Sequence, residues 1–223
     1  MFEWLEFIEN KTIIILIQAT LETLYMSFIS TFFATILGLI LAILLILFAK
    51  DSLYPMPIVH KCLDILINTC RSFPFLVLII LLFPLTAWIV GKSTGSTAMI
   101  VPLSIGIAPF IARIIENAMK EVDKGVIEAA KSFGASDMQI IFKVMIVEAL
   151  PSIFSGVILA LIMAIGFSAM AGTVGGGGLG AVAVNYGVYR FNVEILTYTA
   201  VILVIMVQVI QSIGDFIYNH LKK

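Results

Sequence analysis

Gly175, Gly177 and Gly180, within "AGTVGGGGLG", satisfy G-x-G-x-x-G. That spacing brings a backbone close to pyrophosphate when a strand precedes it and a helix opens after it. Here the preceding residues 149–171 are a long uncharged run that reads as a membrane span, and four consecutive glycines satisfy many templates. No G-x-x-x-x-G-K-[ST] occurs anywhere. His60 and His220 have no Cys or carboxylate at ligand spacing. Ser168 stands in "GFSAM" rather than G-x-S-x-G, and no paired carboxylates fall inside an apolar run. Cys62 and Cys70 form neither a disulfide framework nor a metal spacing. The expectation is a chain with no catalytic residues, no metal site and no cofactor of its own.

The elements that carry these residues follow from composition. Of 223 residues, 61% are hydrophobic and 12% charged, with mean hydropathy +1.13. A soluble domain needs far more polar surface. Charges are missing between Glu22 and Lys50, Arg71 and Lys92, Lys92 and Arg113, Glu148 and Arg190, and Glu194 and Asp215. A helix crossing the ~30 Å hydrocarbon core needs about 20 mostly apolar residues. The pattern predicts an all-α polytopic membrane protein with five spans, near 20–49, 72–91, 94–115, 149–171 and 195–216. The acidic leader "MFEWLEFIENK" and the long run after it do not fit a secretory signal. No basic patch with interleaved aromatics points to nucleic acid.

Lys and Arg placement orients the spans. Ten basic residues, Lys50, Lys61, Arg71, Arg113, Lys120, Lys124, Lys131, Lys143, Lys222 and Lys223, fall on one set of flanks, and Lys11, Lys92 and Arg190 on the other. The first set is expected in the cytoplasm, which puts the N-terminus outside, the C-terminus inside and the loop 116–148 in the cytoplasm. The glycines then lie at the outer end of the fourth span. "LGAVAVNYGVYRF" after them is too apolar for an exposed loop, and irregular backbone at membrane depth is tolerated where protein buries it. A partly re-entrant segment is expected, with Gly166, Ser168, Ala169, Ala171 and Gly172 allowing close helix approach before it. Tyr186 and Tyr189 are expected to anchor at the interface.

The loop 120–151 is patterned. Asp123 can cap a helix over 124–133 carrying Val126, Ile127, Ala129, Ala130 and Phe133, and Gly134 can end it in a left-handed turn. Ser136 and Gln139 make a capping box for a second helix striped by Met138, Ile141, Phe142, Met145 and Ile146.

"EAAKSFG", Glu128 to Gly134, resembles the E-A-A-x-x-x-G motif of ABC importer permeases. "RSFPF" (71–75), "APFIARIIENAM" (108–119) and "GFSAMAGTVGGGGLG" (166–180) are similar to the methionine-importer permeases within that family, and the likeness runs from about residue 20 to the end. Where the family continues with I-x-L-P, this chain has Val144, Met145, Ile146 and Val147, without the proline.

The resemblance implies a type I ABC importer permease fold. Residues 1–223 would form one transmembrane domain, with 120–148 as the cytoplasmic coupling loop. It implies a permease for D- and/or L-methionine in a bacterial cytoplasmic membrane, working as a homodimer in lipid. Two ABC ATPase subunits would hold the ATP and Mg, and an extracytoplasmic binding protein would deliver substrate. Glu128, Ala129, Ala130 and Gly134 would couple to the ATPase.

A thioether substrate suits an apolar, adaptable gate. Met163 and Met170 lie seven residues apart on nearly one face of the fourth span, with Ser168 beside them, and are expected to line the pathway. Gly175, Gly176, Gly177, Gly178 and Gly180 are expected to shape an outer gate loop. Glu22 is the one ionisable candidate near a span, which speaks against an ion-coupled pump. The alternatives are a permease for another small amino acid or short peptide, and, from a different class, an ATP-independent channel or membrane scaffold.

Overall fold

A computed structural model describes residues 2–49 and 55–221, with side chains from 11 to 220. The first helix, α1 (Phe2–Leu47), holds 46 residues, about 69 Å at 1.5 Å per residue. It starts far ahead of the expected residue 20, because "FEWLEFIENK" contains no Pro or Gly to stop a helix. Its charges mark where water begins, not where the helix ends.

The expected second span, 72–91, is two short helices rather than one, and a helix not expected from the sequence precedes it. Helix α2 (Pro57–Ser72) starts on a proline at the position where its missing N–H is harmless. Pro74 then holds Phe73 in extended backbone (φ −69°, ψ 131°), which ends α2. The chain turns by 105° into α3 (Phe75–Leu81), and α4 (Phe83–Val90) follows after Leu82 alone. The next long helix, α5 (Ser96–Lys120), is central. It is buried on nearly all sides although Pro102 and Pro109 lie within it.

The loop carries α6 (Lys124–Ser132) and the single turn α7 (Asp137–Gln139). A π-helical stretch, Ile140–Met145, leads through α8 (Ile146–Glu148) into α9 (Leu150–Gly172). The second amphipathic helix is thus the wound lower end of the fourth span. A short helix, α10 (Gly178–Val182), continues as a π-helical turn over Ala183–Val188, and α11 (Val193–Leu221) closes the bundle.

Among the described residues, four helices are long and apolar enough to cross a bilayer: Lys11–Leu47 of α1, α5, α9 and Val193–His220 of α11. The bent pair α2–α3 makes a fifth when taken as one broken span.

Small residues set the packing. On α1, Ala34, Gly38 and Ala42 recur every four residues against α5. A Cβ on Gly38 would stand 2.7 Å from Ile111 and 3.0 Å from the Ala108 carbonyl oxygen. With no hydrophobic drive between helices in lipid, such close backbone approach supplies the dispersion contact that holds them. Gly156 gives α9 the same intimacy with Ile114 of α5, and Gly214 gives α11 contact with Ile158 of α9. The outer faces keep Phe28, Phe32, Trp88, Val204 and Phe216 exposed, an apolar girdle suited to lipid and unsuited to water.

Candidate functional site

The loop helix α6 is built to hold its own shape. Asp123 accepts the Gly125 N–H at 2.6 Å, capping the first turn. At the other end the Gly134 N–H reaches the Lys131 carbonyl (2.9 Å) and the Ala135 N–H reaches the Ala130 carbonyl (3.1 Å). That pair of bonds is a Schellman motif and requires the positive φ of 78° that Gly134 adopts. The Ser136–Gln139 capping box starts the next turn, with the Ser136 N–H donating to Gln139 Oε1 at 2.9 Å.

Only Ile127 and Ala130 of α6 turn partly inward, and none of its residues is buried. Glu128 and Ala129 are exposed, and Phe133 is 91% exposed. Farther on, Met138 and Phe142 are exposed as well, while Ile141 is buried and Met145 and Ile146 pack on the core. An apolar ring and a small-residue helix face standing free at the end of a bundle fit a protein contact better than solvent.

The same end of the molecule carries a charge clasp. Glu116 is 1% exposed, and both its oxygens are engaged, Oε2 by Arg113 Nη1 (2.8 Å) and Oε1 by Lys120 Nζ (2.6 Å). Arg113 also donates through Nη2 to the Asp64 carboxylate and, at 3.1 Å, to Asn68 Oδ1. The broken element α2 is thereby tied to α5. A buried carboxylate is tolerable because every partner is present.

Above the clasp lies a cleft of ≈230 Å³, lined by Arg71, Phe73, Phe75, Gly106, Phe110 and Met170 among others. The 105° turn at Phe73–Pro74 puts Phe75 there, where it stacks on Phe167 of α9 with centroids 3.9 Å apart and planes within 9°. Gly106 makes room, since a Cβ there would come within 2.9 Å of the Phe75 ring. The Arg71 guanidinium stands 5.0 Å over the Phe110 ring. Such a cleft can take an apolar or thioether side chain against aromatic faces, beside a fixed positive charge.

Of the residues expected to line a pathway, Met170 is 47% exposed and borders this cleft. Met163 is half-buried on the same helix. Ser168 is buried, its hydroxyl donating to the Ile165 carbonyl at 2.7 Å. Gly166 opens onto free space. With Ser155 and Leu159 it makes a bare stripe on α9 that ends at Met170.

The glycine segment folds back on α9 as a hairpin. A Cβ on Gly180 would sit 2.1 Å from the Ala169 carbonyl oxygen, so the two backbones touch. Gly177, with φ 83°, swings the chain into α10. The first two free N–H groups of that helix are taken from across the bundle. Gly178 donates to Glu22 Oε2 at 2.8 Å and Leu179 to Thr23 Oγ1 at 2.9 Å. A helix N-terminus attracts anions, and here the anion is the protein's own carboxylate. The G-x-G-x-x-G spacing serves a turn and a close approach, and its donors are already spent. Sequence reasoning noticed Glu22 but not this partner, nor the Ala34–Gly38–Ala42 seam, whose four-residue spacing was there to find.

The comparisons with known proteins agree with this architecture. The family model described as "Binding-protein-dependent transport system inner membrane component" matches residues 34–223. The chain is 45% identical to the methionine import system permease protein MetP of Bacillus subtilis, over all of both chains. It is 47% identical to the "Probable D-methionine transport system permease protein MetI" of Vibrio cholerae serotype O1, covering 90% of this chain and 89% of that one. Among solved structures, a chain of the MetNI methionine ABC transporter in an inward-facing conformation superposes with a TM-score of 0.91 at 40% identity, covering 94% of this chain and 97% of that one. With the spans, the free-standing loop helix and these matches together, the chain belongs to the inner-membrane components of binding-protein-dependent ABC transport systems.

Proposed function

We propose that this chain is the membrane permease subunit of an ATP-driven importer of methionine, D- and/or L-, in a bacterial cytoplasmic membrane. Two copies form the pathway as a homodimer, and two ATPase subunits on the cytoplasmic side hold the ATP and Mg. The chain acts as one transmembrane domain, with its N-terminus outside, its C-terminus inside and residues 120–148 as the coupling loop. An extracytoplasmic binding protein delivers the substrate.

One observation carries this reading. The helix α6 is fully capped within its own loop yet leaves Glu128, Ala129 and Phe133 bare. A surface element that needs no partner to fold but exposes a large ring is preorganised for docking. Glu128, Ala129, Ala130 and Gly134 form that coupling element. Because the loop winds from Asp137 into α9 with a single turn residue, Ala149, between α8 and α9, movement of the ATPases reaches the fourth span directly. Two conformations, each favoured by a different partner, then alternate access.

The pathway runs along the bare stripe of α9. Met170 and Met163 present thioethers to it, Ser168 keeps the helix slim behind them, and the aromatic cleft with Arg71 suits a zwitterion with an apolar tail. Gly175, Gly176, Gly177, Gly178 and Gly180 shape the outer gate. A permease for another small amino acid or short peptide shares this mechanism and differs only in the cleft and the binding protein.

The test is uptake of labelled L- and D-methionine into vesicles holding the chain, its ATPase and the binding protein, with ATP inside the compartment that contains the loop. Wild type should concentrate methionine, and Glu128→Arg/Gly134→Val should abolish uptake while remaining folded in the membrane. Uptake that is equal in both, or independent of ATP, returns the channel reading. ATP-dependent uptake of a different amino acid in preference to methionine replaces the substrate.

A further inference from the structure

At the loop end of the bundle a second cleft, ≈520 Å³, opens between the C-terminal end of α1, the start of α2 and the inner side of α6. Its rim carries Lys120, Lys124, Lys131 and His60, and its floor is Ile46, Ile127, Ile141 and Met145. Among the described residues, Asp137 is the one carboxylate in the lining. Lys120 already serves Glu116. Lys124 and Lys131 have no carboxylate within salt-bridge distance among the described residues.

The lysines are arranged as a set. Lys124, Ile127 and Lys131 are three and four residues apart and share one side of α6, away from exposed Ala129 and Phe133. Lys120 ends α5, on the other side of the non-helical stretch Glu121–Asp123. The cleft and the Ala129–Phe133 face are therefore different sides of the same helix, and a partner seated on Phe133 leaves the cleft facing α1. Ile46 and Leu47, at the wall, end the long apolar run of the first span, so the cleft stands where the hydrocarbon region gives way to head groups.

Two ammonium groups without a carboxylate partner among the described residues, above an aliphatic floor at that depth, match an amphiphile with an anionic head. We propose that the cleft binds the phosphate head group of an anionic phospholipid of the cytoplasmic leaflet, held by Lys124 and Lys131 with Lys120 and His60 around it. The start of an acyl chain lies on Ile46, Ile127 and Ile141. This rests on the inward orientation of the 120–148 loop proposed above. Basic pockets at the cytoplasmic ends of spans hold such head groups, each lysine contributing roughly fivefold in affinity. A lipid wedged between α1 and α6 would make the loop's position depend on membrane composition.

The experiment uses the permease with its ATPase in phosphatidylcholine vesicles carrying a trace of photoactivatable phosphatidylglycerol, with adducts mapped by peptide mass spectrometry. Wild type and Lys124→Arg/Lys131→Arg should be labelled within 120–145. Lys124→Gln/Lys131→Gln should lose about tenfold or more of that labelling, as expected for two lost surface charges. Both lysines are exposed, so the glutamine variant should keep the wild-type melting temperature.

Equal labelling of wild type and glutamine variant overturns the proposal, as does equal labelling by photoactivatable phosphatidylcholine. Loss of labelling on adding excess inorganic phosphate would make it a site for free anions. Loss on adding the ATPase to the permease alone would make it a protein contact. Sidedness of the loop is read separately, by an impermeant maleimide on Ser132→Cys in sealed vesicles. A failed orientation is thus told apart from a failed lipid site.

Discussion

Glu22 and Gly178 stand 156 residues apart in the chain and meet through a 2.8 Å hydrogen bond from the Gly178 N–H to the Glu22 carboxylate. Glu22 is half-buried, and the next residue on each side repeats the contact, Leu179 N–H to Thr23 Oγ1. The first span therefore holds the entry to α10 from across the bundle.

Removing that carboxylate should loosen the hairpin before anything else. Glu22→Ala should cost on the order of 1–2 kcal/mol locally, the usual scale for a lost charge-assisted helix cap. Hydrogen exchange over 173–188 should rise while exchange in α5 stays unchanged. Glu22→Gln, which keeps an acceptor, should fall between. Unchanged exchange at 173–188 in Glu22→Ala would remove Glu22 from any role in the hairpin.

Glycines of the same stretch should divide sharply. Gly180→Val drives a side chain into the Ala169 carbonyl, 2.1 Å from where its Cβ must lie, so it should fail to yield stable protein. Gly166→Ala meets nothing within 4 Å and should melt like wild type, any defect appearing only in dimer formation or uptake. The measurement is thermal unfolding in detergent alongside yield from the membrane.

Arg113→Ala should be among the most damaging charge substitutions. It strips one of two partners from a carboxylate that is 1% exposed, and breaking a buried pair costs roughly 3–5 kcal/mol. Lys120 remains on Glu116, which places the loss near the lower end of that range. Arg113→Gln/Glu116→Gln should be more stable than Arg113→Gln alone, and a double-mutant cycle on melting temperature checks the sign.

Met170→Ala should change uptake more than stability. The side chain is half-exposed at the cleft mouth, so truncation removes little buried area, about 1 kcal/mol or less for such a surface position. Methionine uptake kinetics should shift while the melting temperature holds. A large fall in melting temperature would mark Met170 as packing rather than pathway.

The spans and the loop caps were legible because each is a local code. Charge gaps of about twenty residues announce helices in lipid, and Asp123, Gly134, Ser136 and Gln139 act on neighbours within three or four positions. Three things were not legible. Residues 57–72 carry His60, Lys61, Asp64 and Arg71, so they read as polar loop although they form a helix pinned by Arg113. The turn at Pro74 lay within a run whose apolar content suggested one straight span. The bond from Glu22 to Gly178 joins opposite ends of the chain, and no periodicity encodes it.

The glycine hairpin and α9 touch backbone to backbone at Gly180 and Ala169, with Gly172 against Ala181. Contacts that close leave no side chain to flex, so hairpin and helix tilt as one rod. The 23 residues of α9 span about 34 Å at 1.5 Å each, and a tilt of about 10° at Ala149 carries its far end about 6 Å. A small tilt at the loop end of α9 is thus geared up to a displacement of about 6 Å at its opposite end. The tethers that resist it are the Glu22 and Thr23 bonds from the first span and the bond from the Gly95 N–H to the Gly175 carbonyl at 2.8 Å.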